Sequence, residues 1–206
     1  MARVKICGIK TSAAARAAVE AGANALGFVF APSPRRVQPE LAREIILSLP
    51  PFVTKVGVFV NEQRYIVEEL ATFCKLDVLQ FHGNEPPEYC RRWSYQIIKG
   101  FGVGDGWEPG ELKQYEVDAY LLDTKVPGLA GGTGKSFDWS RAREAKELGK
   151  PVILAGGLNP GNVGEAIRLV RPFAVDVSSG VELDGEKDPG LIQKFMAETR
   201  RSLDEQ

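Results

Sequence analysis

Eight short apolar runs of four to six residues recur along the whole chain, each followed by a polar or glycine-containing junction. They lie at Val4 to Cys7, Ala25 to Phe30, Lys55 to Val60, Val78 to His82, Ile97 to Gly100, Ala119 to Asp123, Val152 to Gly156 and Ala174 to Ser178. Runs this short and this rich in Val, Ile, Leu and Phe read as parallel strands buried on both faces. Helix-like segments separate most of them: Ala13 to Ala21, Pro39 to Ser48, Gln63 to Phe73, Pro86 to Trp93, Ser140 to Leu148, Pro160 to Val170 and Pro189 to Arg201. The connection from Val103 to Val117 has the weakest helical pattern. Gly22 stops the first helix, and Asn159-Pro160 and Asp188-Pro189 each read as a cap followed by proline at the first helical position. Strands alternating with three-turn helices form right-handed βαβ units, and eight of them in 206 residues predict one closed (β/α)8 barrel spanning 1–206. The alternative, an open doubly wound sheet, would carry a G-x-G-x-x-G turn after its first strand. Here that turn is Cys7-Gly8-Ile9-Lys10-Thr11.

Composition narrows the partners. Lys plus Arg is 26 against 27 for Asp plus Glu, a net charge of −1, which argues against nucleic-acid binding through bulk charge. No apolar stretch approaches the ~18 residues of a membrane helix, and the start of the chain has no basic region followed by an apolar one. The expected location is the cytoplasm. Three scattered cysteines, Cys7, Cys74 and Cys90, fit reduced thiols. The single histidine, His82, has no cysteine or histidine partner at metal-ligand spacing, so no metal is expected.

In such a barrel, chemistry sits at the C-terminal ends of the strands. Cys7 ends the first run, and Asp123 ends the sixth. Val78, Gln80 and His82 share one face of the fourth; Ala174, Asp176 and Ser178 share one face of the eighth. The polar faces are expected to point into the barrel, with Asp176 a possible partner of Lys5 or Lys99. A second constellation is glycine-rich: Gly131-Gly132-Thr133-Gly134-Lys135, Ala155-Gly156-Gly157-Leu158-Asn159 and Ser178-Ser179-Gly180. Loops after the seventh and eighth strands are the usual phosphate site of this architecture, because exposed backbone N–H groups there attract an anion. Gly132, Gly134, Gly156, Gly157, Ser179 and Gly180 are the expected phosphate-binding residues.

The segments Val4-Lys5-Ile6-Cys7-Gly8, Ser33-Pro34-Arg35, Gln80-Phe81-His82-Gly83-Asn84-Glu85, Leu122-Asp123, Gly131-Gly132-Thr133-Gly134, Leu154-Ala155-Gly156-Gly157-Leu158-Asn159-Pro160 and Asp176-Val177-Ser178-Ser179-Gly180-Val181-Glu182 occur in order across essentially the whole chain. Together they closely resemble the phosphoribosylanthranilate isomerase family. The resemblance implies an Amadori rearrangement of an aminoaldose phosphate to an aminoketose phosphate, with no metal or organic cofactor. It makes Cys7 the general base and Asp123 the general acid. It also places Arg35 on the anthranilate carboxylate, although the adjacent Arg36 offers the same group. Gln80, His82 and Asp176 are expected to line the substrate site with Arg35. The acid must hold a proton while the base is ionised, so Lys5, two residues from Cys7 on the same strand face, is a candidate to favour the thiolate. The partner is a small phosphorylated molecule, with the protein a monomer or homodimer. The loop from Thr124 to Lys135 is expected to close over it.

One local departure is Ile9-Lys10-Thr11, where many family members have threonine directly after the hydrophobic residue. Rival readings are the histidine-pathway isomerase, which uses an aspartate in place of Cys7 and has two similar halves, indole-glycerol-phosphate synthase, which needs a longer chain, and a non-catalytic phospho-ligand sensor, which would need neither Cys7 nor Asp123.

Overall fold

The computed structural model describes residues 2–104, 107–124 and 140–204. Eight parallel strands close on themselves: β1 (Arg3–Cys7), β2 (Ala25–Val29), β3 (Thr54–Phe59), β4 (Val78–Phe81), β5 (Gln96–Val103), β6 (Ala119–Thr124), β7 (Val152–Ala155) and β8 (Ala174–Val177). β8 returns to pair with β1, with Lys5 opposite Asp176, so the barrel has no free edge. The helices are α1 (Ser12–Glu20), α2 (Pro39–Leu47), α3 (Arg64–Cys74), α4 (Ser140–Lys146), α5 (Val163–Val170) and α6 (Pro189–Asp204). Each turns a narrow apolar stripe inward; Val67, Ala71 and Cys74 of α3, at spacings of four and three, are fully buried.

Strand alternation divides the apolar residues into two bodies. Outward-facing side chains such as Ile6, Leu26, Phe28, Leu79, Leu122 and Val175 pack under the helices. Inward-facing ones, including Val56, Val78, Ile98, Ala119, Leu121, Ile153 and Ala174, fill the barrel itself. That filling makes the barrel a solid base for whatever stands at its C-terminal mouth.

The helix starts follow local chemistry. Thr11 caps α1 by accepting from Ala14 N at 3.1 Å, so the unusual Ile9-Lys10-Thr11 sequence has a structural use. Asp188 caps α6 by accepting from Leu191 N at 2.7 Å, as its pairing with Pro189 predicts. Asn159 behaves differently from the expectation. It organises a turn, with its side chain accepting from Gly161 N, and α5 starts only after Asn162.

The expected helix at Pro86 to Trp93 is a correction. The segment makes one turn, with Tyr89 N donating to Pro86 O at 3.0 Å, and then stops at Arg92 in a left-handed conformation (φ 58°). The next carbonyls are taken by side chains: Trp93 Nε1 donates to Tyr89 O at 2.7 Å, and Arg64 donates to Arg91 O and Arg92 O. Tyr89 and Trp93 pack with Phe81, ring centroids 5.1 Å away in each case. Aromatic packing and side-chain capping outcompete continuation of the helix. The weak connection after β5 contains a 3-10 helix, Pro109–Gln114.

Candidate active site

Every inward-facing polar residue anticipated at the strand ends is where alternation puts it, but the residues differ in depth and in what they touch. Cys7 ends β1 against an apolar wall of Val29, Ala31 and Val58. Below it, the buried Lys5 Nζ donates to Asp176 Oδ1 at 2.9 Å, close enough to the Cys7 thiol for its charge to act on it. Burial pushes the Cys7 thiol up; the Lys5 charge opposes it, Asp176 reinforces it, and Lys187 adds a second downward pull. Burial would likewise lower the Lys5 amine, but Asp176 and Cys7 outweigh it and hold the ammonium above its ordinary value. Cys74 and Cys90 are pushed to about 11, chiefly by burial, and Cys74 Sγ donates to Pro39 O within the scaffold. Cys7 is the cysteine on which two lysines, Lys5 and Lys187, pull downward against burial, the setting in which a thiolate is usable.

Across the barrel, β4 and β6 present a second array. The fully buried Gln80 Nε2 lies 3.0 Å from His82 Nδ1, and His82 Nε2 lies 3.1 Å from Asp123 Oδ2. The imidazole packs against Gly100 of β5, where a Cβ would stand 2.5 Å from Nδ1. Gly27 of β2 makes the same kind of space beside Cys7 Sγ, at 2.8 Å. The His82 and Cys7 side chains therefore both sit in room that a neighbouring strand leaves by having no side chain there.

Arg35 is half-buried and Arg36 exposed, which separates the two candidates. Arg35 uses Nε and Nη2 to hold both oxygens of Glu182, at 2.8 and 2.7 Å. The fork anticipated for a substrate carboxylate is thus engaged by the protein itself. Lys187 also pairs with Glu182 and donates to Ser178 O at 3.1 Å, while Ser178 Oγ donates to Cys7 O at 3.1 Å. These contacts tie the end of β8 to the end of β1. Although burial works the other way, the hydrogen bonds and charges of Arg35 and Lys187 hold the Glu182 carboxyl down to about 2.

The glycine loops divide in the same way. Gly156 and Gly157 follow β7 with successive positive φ values of 84° and 62°, a backbone that L side chains adopt only with strain. Ser179 and Gly180 begin the short turn after β8, and a Cβ at Gly180 would collide with the carbonyl of Leu158, so the two loops are pressed together. Gly132, Gly134 and the expected closing loop lie outside the described residues.

Two ion-pair groups, Lys99–Glu85 and Arg35–Glu182–Lys187, were less visible from the sequence. Lys99, in the middle of β5, reaches Glu85 Oε2 at 3.2 Å and donates to Gly83 O and Gly100 O. Glu85 in turn accepts from Asn61 N and Gly83 N, fixing the loop after β4. A lysine inside an apolar strand is the signal that announces such a partner. Arg35–Glu182–Lys187 had no comparable signal, because Arg35 and Glu182 are 147 residues apart.

A cavity of about 290 Å³ opens at the opposite, N-terminal mouth, lined by Val56, Val78, Ile98, Ile153 and Ala174 among others. Its polar rim is committed to backbone: Asn24 accepts from Val4 N and Asp118 from Ile97 N. Cys7 and Asp123 stand at the other end. Among the described residues, no group of three or more His, Cys, Asp or Glu is arranged to hold a metal ion, and no helix is long and apolar enough to cross a membrane.

A filled (β/α)8 barrel with a thiol and a carboxyl at the C-terminal ends of different strands defines a barrel enzyme of the acid–base class. The family model described as N-(5'phosphoribosyl)anthranilate (PRA) isomerase matches residues 4–198. The N-(5'-phosphoribosyl)anthranilate isomerase of Moorella thermoacetica is 58% identical over 203 residues, covering 98% of this chain and 91% of that protein. The crystal structure of phosphoribosyl anthranilate isomerase from Thermotoga maritima superposes with a TM-score of 0.88 at 44% identity, covering 98% of this chain and 100% of that one. A phosphoribosyl anthranilate isomerase solved in complex with reduced 1-(o-carboxyphenylamino)-1-deoxyribulose 5-phosphate gives a TM-score of 0.85 at 42% identity, with 98% and 100% coverage. The chain belongs to the N-(5'-phosphoribosyl)anthranilate isomerase family, the aldose–ketose isomerases of tryptophan biosynthesis.

Proposed function

We propose that this chain isomerises N-(5'-phosphoribosyl)anthranilate to 1-(2-carboxyphenylamino)-1-deoxyribulose 5-phosphate with Asp123 as general acid and Cys7 as general base. The observation that carries the assignment is the pairing of each group with a different kind of neighbour: the thiol with lysine, the carboxyl with imidazole. Asp123 passes its proton to the furanose ring oxygen. The bond from C1 to that oxygen breaks, and the nitrogen lone pair forms a C=N iminium. The positive nitrogen acidifies the C2 proton, which the Cys7 thiolate removes, leaving an enolamine. Protonation at C1 and loss of the hydroxyl proton at C2 give the ketone, so the reaction is redox-neutral overall and needs no organic cofactor or metal. Lys5 is the cation that makes the thiolate accessible from its buried, raised starting point.

Substrate binding follows the two polar margins. Gly156, Gly157, Ser179 and Gly180 present backbone N–H groups to the phosphate, supported by the pressed glycine loops after β7 and β8; Gly132 and Gly134 are assigned to the same phosphate by the family resemblance. Arg35 meets the anthranilate carboxylate with the terminal nitrogen that Glu182 does not engage, which gives a single-point contact in place of a fork. Asp176 and Gln80 act beneath the substrate, on Lys5 and His82. The protein is proposed to act as a monomer or a homodimer. The closing of the loop from Thr124 to Lys135 over the bound molecule belongs to the same proposal; unchanged protease cleavage in the presence of a product analogue would remove it.

The test is the loss of anthranilate-type fluorescence on adding freshly made phosphoribosylanthranilate to wild type, Cys7→Ala and Asp123→Asn. Expected is turnover by wild type and a loss of at least ~100-fold in each variant. A folded wild type that leaves this substrate unchanged would overturn the assignment and send the histidine-pathway aminoaldose into the next assay.

A further inference from the structure

Gln80 is an oddity of the barrel interior. It is 1% exposed, and its Oε1 has no hydrogen-bond partner among the described residues, a costly state for a buried carbonyl oxygen. Its amide nitrogen, 3.0 Å from His82 Nδ1, is the only polar contact described for its side chain. A glutamine kept in the interior for one contact points to the importance of that contact. The other side of the imidazole faces Asp123 Oδ2 at 3.1 Å, and Gly100 leaves the ring its slot between them. Three side chains from β4 and β6 thus form one line from the barrel interior to the proposed acid.

The line has a direction. An NH2 group can only donate, so Gln80 Nε2 against Nδ1 requires an unprotonated Nδ1, and a neutral imidazole then carries its proton on Nε2. Nε2–H must donate to Asp123. A donor aimed at a carboxyl oxygen favours the ionised carboxylate over the acid, which is the state Asp123 enters as it gives its proton to the substrate. The opposite amide orientation would put Oε1 on Nδ1, require Nδ1–H, and turn the Nε2 lone pair on Asp123.

We propose that Gln80 and His82 are positioning residues for the acid: Gln80 fixes His82 as the Nε2–H tautomer, and that N–H stabilises the Asp123 carboxylate formed during ring opening. This rests on the assignment of Asp123 as acid, yet part of it is measurable without turnover. His82 is the only histidine in the chain, so one pair of ring nitrogen signals reports it.

The experiment has two readouts. Nitrogen-15 NMR of histidine-labelled protein at pH 8, above the ordinary imidazole range near 6.5, is expected to give a protonated Nε2 and an unprotonated Nδ1. Gln80→Leu is expected to lose that uniform state. A protonated Nδ1 in the wild type, or an unchanged tautomer in Gln80→Leu, overturns the role of Gln80. In turnover, His82→Leu is expected to lower kcat about 10- to 100-fold, a range typical for groups that support a reacting residue, with little change in KM. His82→Gln, whose amide can present N–H near the Nε2 position, is expected to recover most of the loss. A loss confined to KM, or equal losses in His82→Leu and His82→Gln with both variants folded by circular dichroism, overturns the role of His82. If His82→Leu fails to fold, the His82→Gln result against Asp123→Asn still decides: a loss as large as that of Asp123→Asn rejects the donor role. Wild-type inactivity on phosphoribosylanthranilate with the expected tautomer intact would count against the acid assignment instead.

Discussion

The Cys7 side and the Asp123 side of this mouth, proposed as base and acid, are built from different materials. Around Cys7 stand full charges: Lys5 with Asp176, and Lys187 and Arg35 with Glu182. Around Asp123 stand an amide and an imidazole, with Gly100 making room. The difference follows from what each group does at the start of the reaction. A thiol must become an anion before it can take a proton, and inside a barrel only a nearby cation offsets the cost of that charge. An acid must begin with its proton on, and a permanent cation against it would remove that proton prematurely. A neutral donor helps only as charge develops. In the proposed reaction Cys7 has to give up its proton and Asp123 has to carry one, and these two groups, three strands apart in one barrel, have neighbours of different character.

Breaking the charged side should give the largest effect. Asp176→Asn leaves the Lys5 ammonium buried without its counter-charge, and removing one partner of such a pair costs about 3–5 kcal/mol, readable as a lowered denaturant midpoint. The double variant Lys5→Met/Asp176→Leu should regain most of that stability, because apolar replacement of a buried pair is often close to neutral. It should not regain activity. Lys5→Met removes the main cation opposing the raised Cys7 thiol, so ionisation of the base moves to higher pH, and the limb of kcat/KM that rises with pH should move with it. A limb that stays put in Lys5→Met would mean that the pair is only scaffold.

The two glycines sharpen the comparison at smaller cost. Alanine at Gly100 would press on His82 Nδ1, and alanine at Gly27 on Cys7 Sγ, at 2.5 and 2.8 Å before relaxation. A displacement of about 1 Å in a catalytic group can cost about 100-fold in rate, so kcat should fall by one to two decades in both. The tautomer signal of His82 should change in Gly100→Ala alone. Equal changes in both variants would mean the two sides are mechanically one.

How far the chain could be read in advance has a physical pattern. All eight strands were legible because burial on both faces makes each a short continuous apolar run, and period-two alternation then gave the facing of Lys5, Cys7, Gln80, His82, Asp123 and Asp176. Depth was not legible. Alternation puts Gln80 and His82 on one face but does not say that the first is sealed beneath the second, so the pattern alone leaves open whether Gln80 meets the substrate or fixes a neighbour. Nor does local pattern reveal pairings between distant segments, which is why Arg35 read as free for a substrate while Glu182 holds its fork. The segment Pro86 to Trp93 read as a helix as one of the connections between apolar runs; the carbonyl caps that stop it come from Arg64, on another helix. The roles of Cys7, Asp123 and Arg35 were available only because the ordered motifs resemble a family, not from spacing.

The smallest effect belongs to Glu182, and it is one of pH. Its folded carboxyl titrates at about 2, held there by Arg35 and Lys187 against burial, whereas an unfolded glutamate titrates near 4.3. Between those values the unfolded chain binds the extra proton first, so folding stability from this group is complete above the unfolded value and drains away as pH falls toward 2. Glu182→Gln lacks the contribution at every pH. Its thermal midpoint should therefore lie a few degrees below wild type at pH 7, with the gap narrowing from pH 5 to pH 2.5. A gap that is constant with pH would mean the carboxylate contributes shape and not charge. The same variant frees Arg35, so KM measured at pH 7 reports whether the clamp on its fork helps or hinders the substrate carboxylate: if Glu182 serves to aim the guanidinium, KM rises, and if it competes for the guanidinium, KM falls.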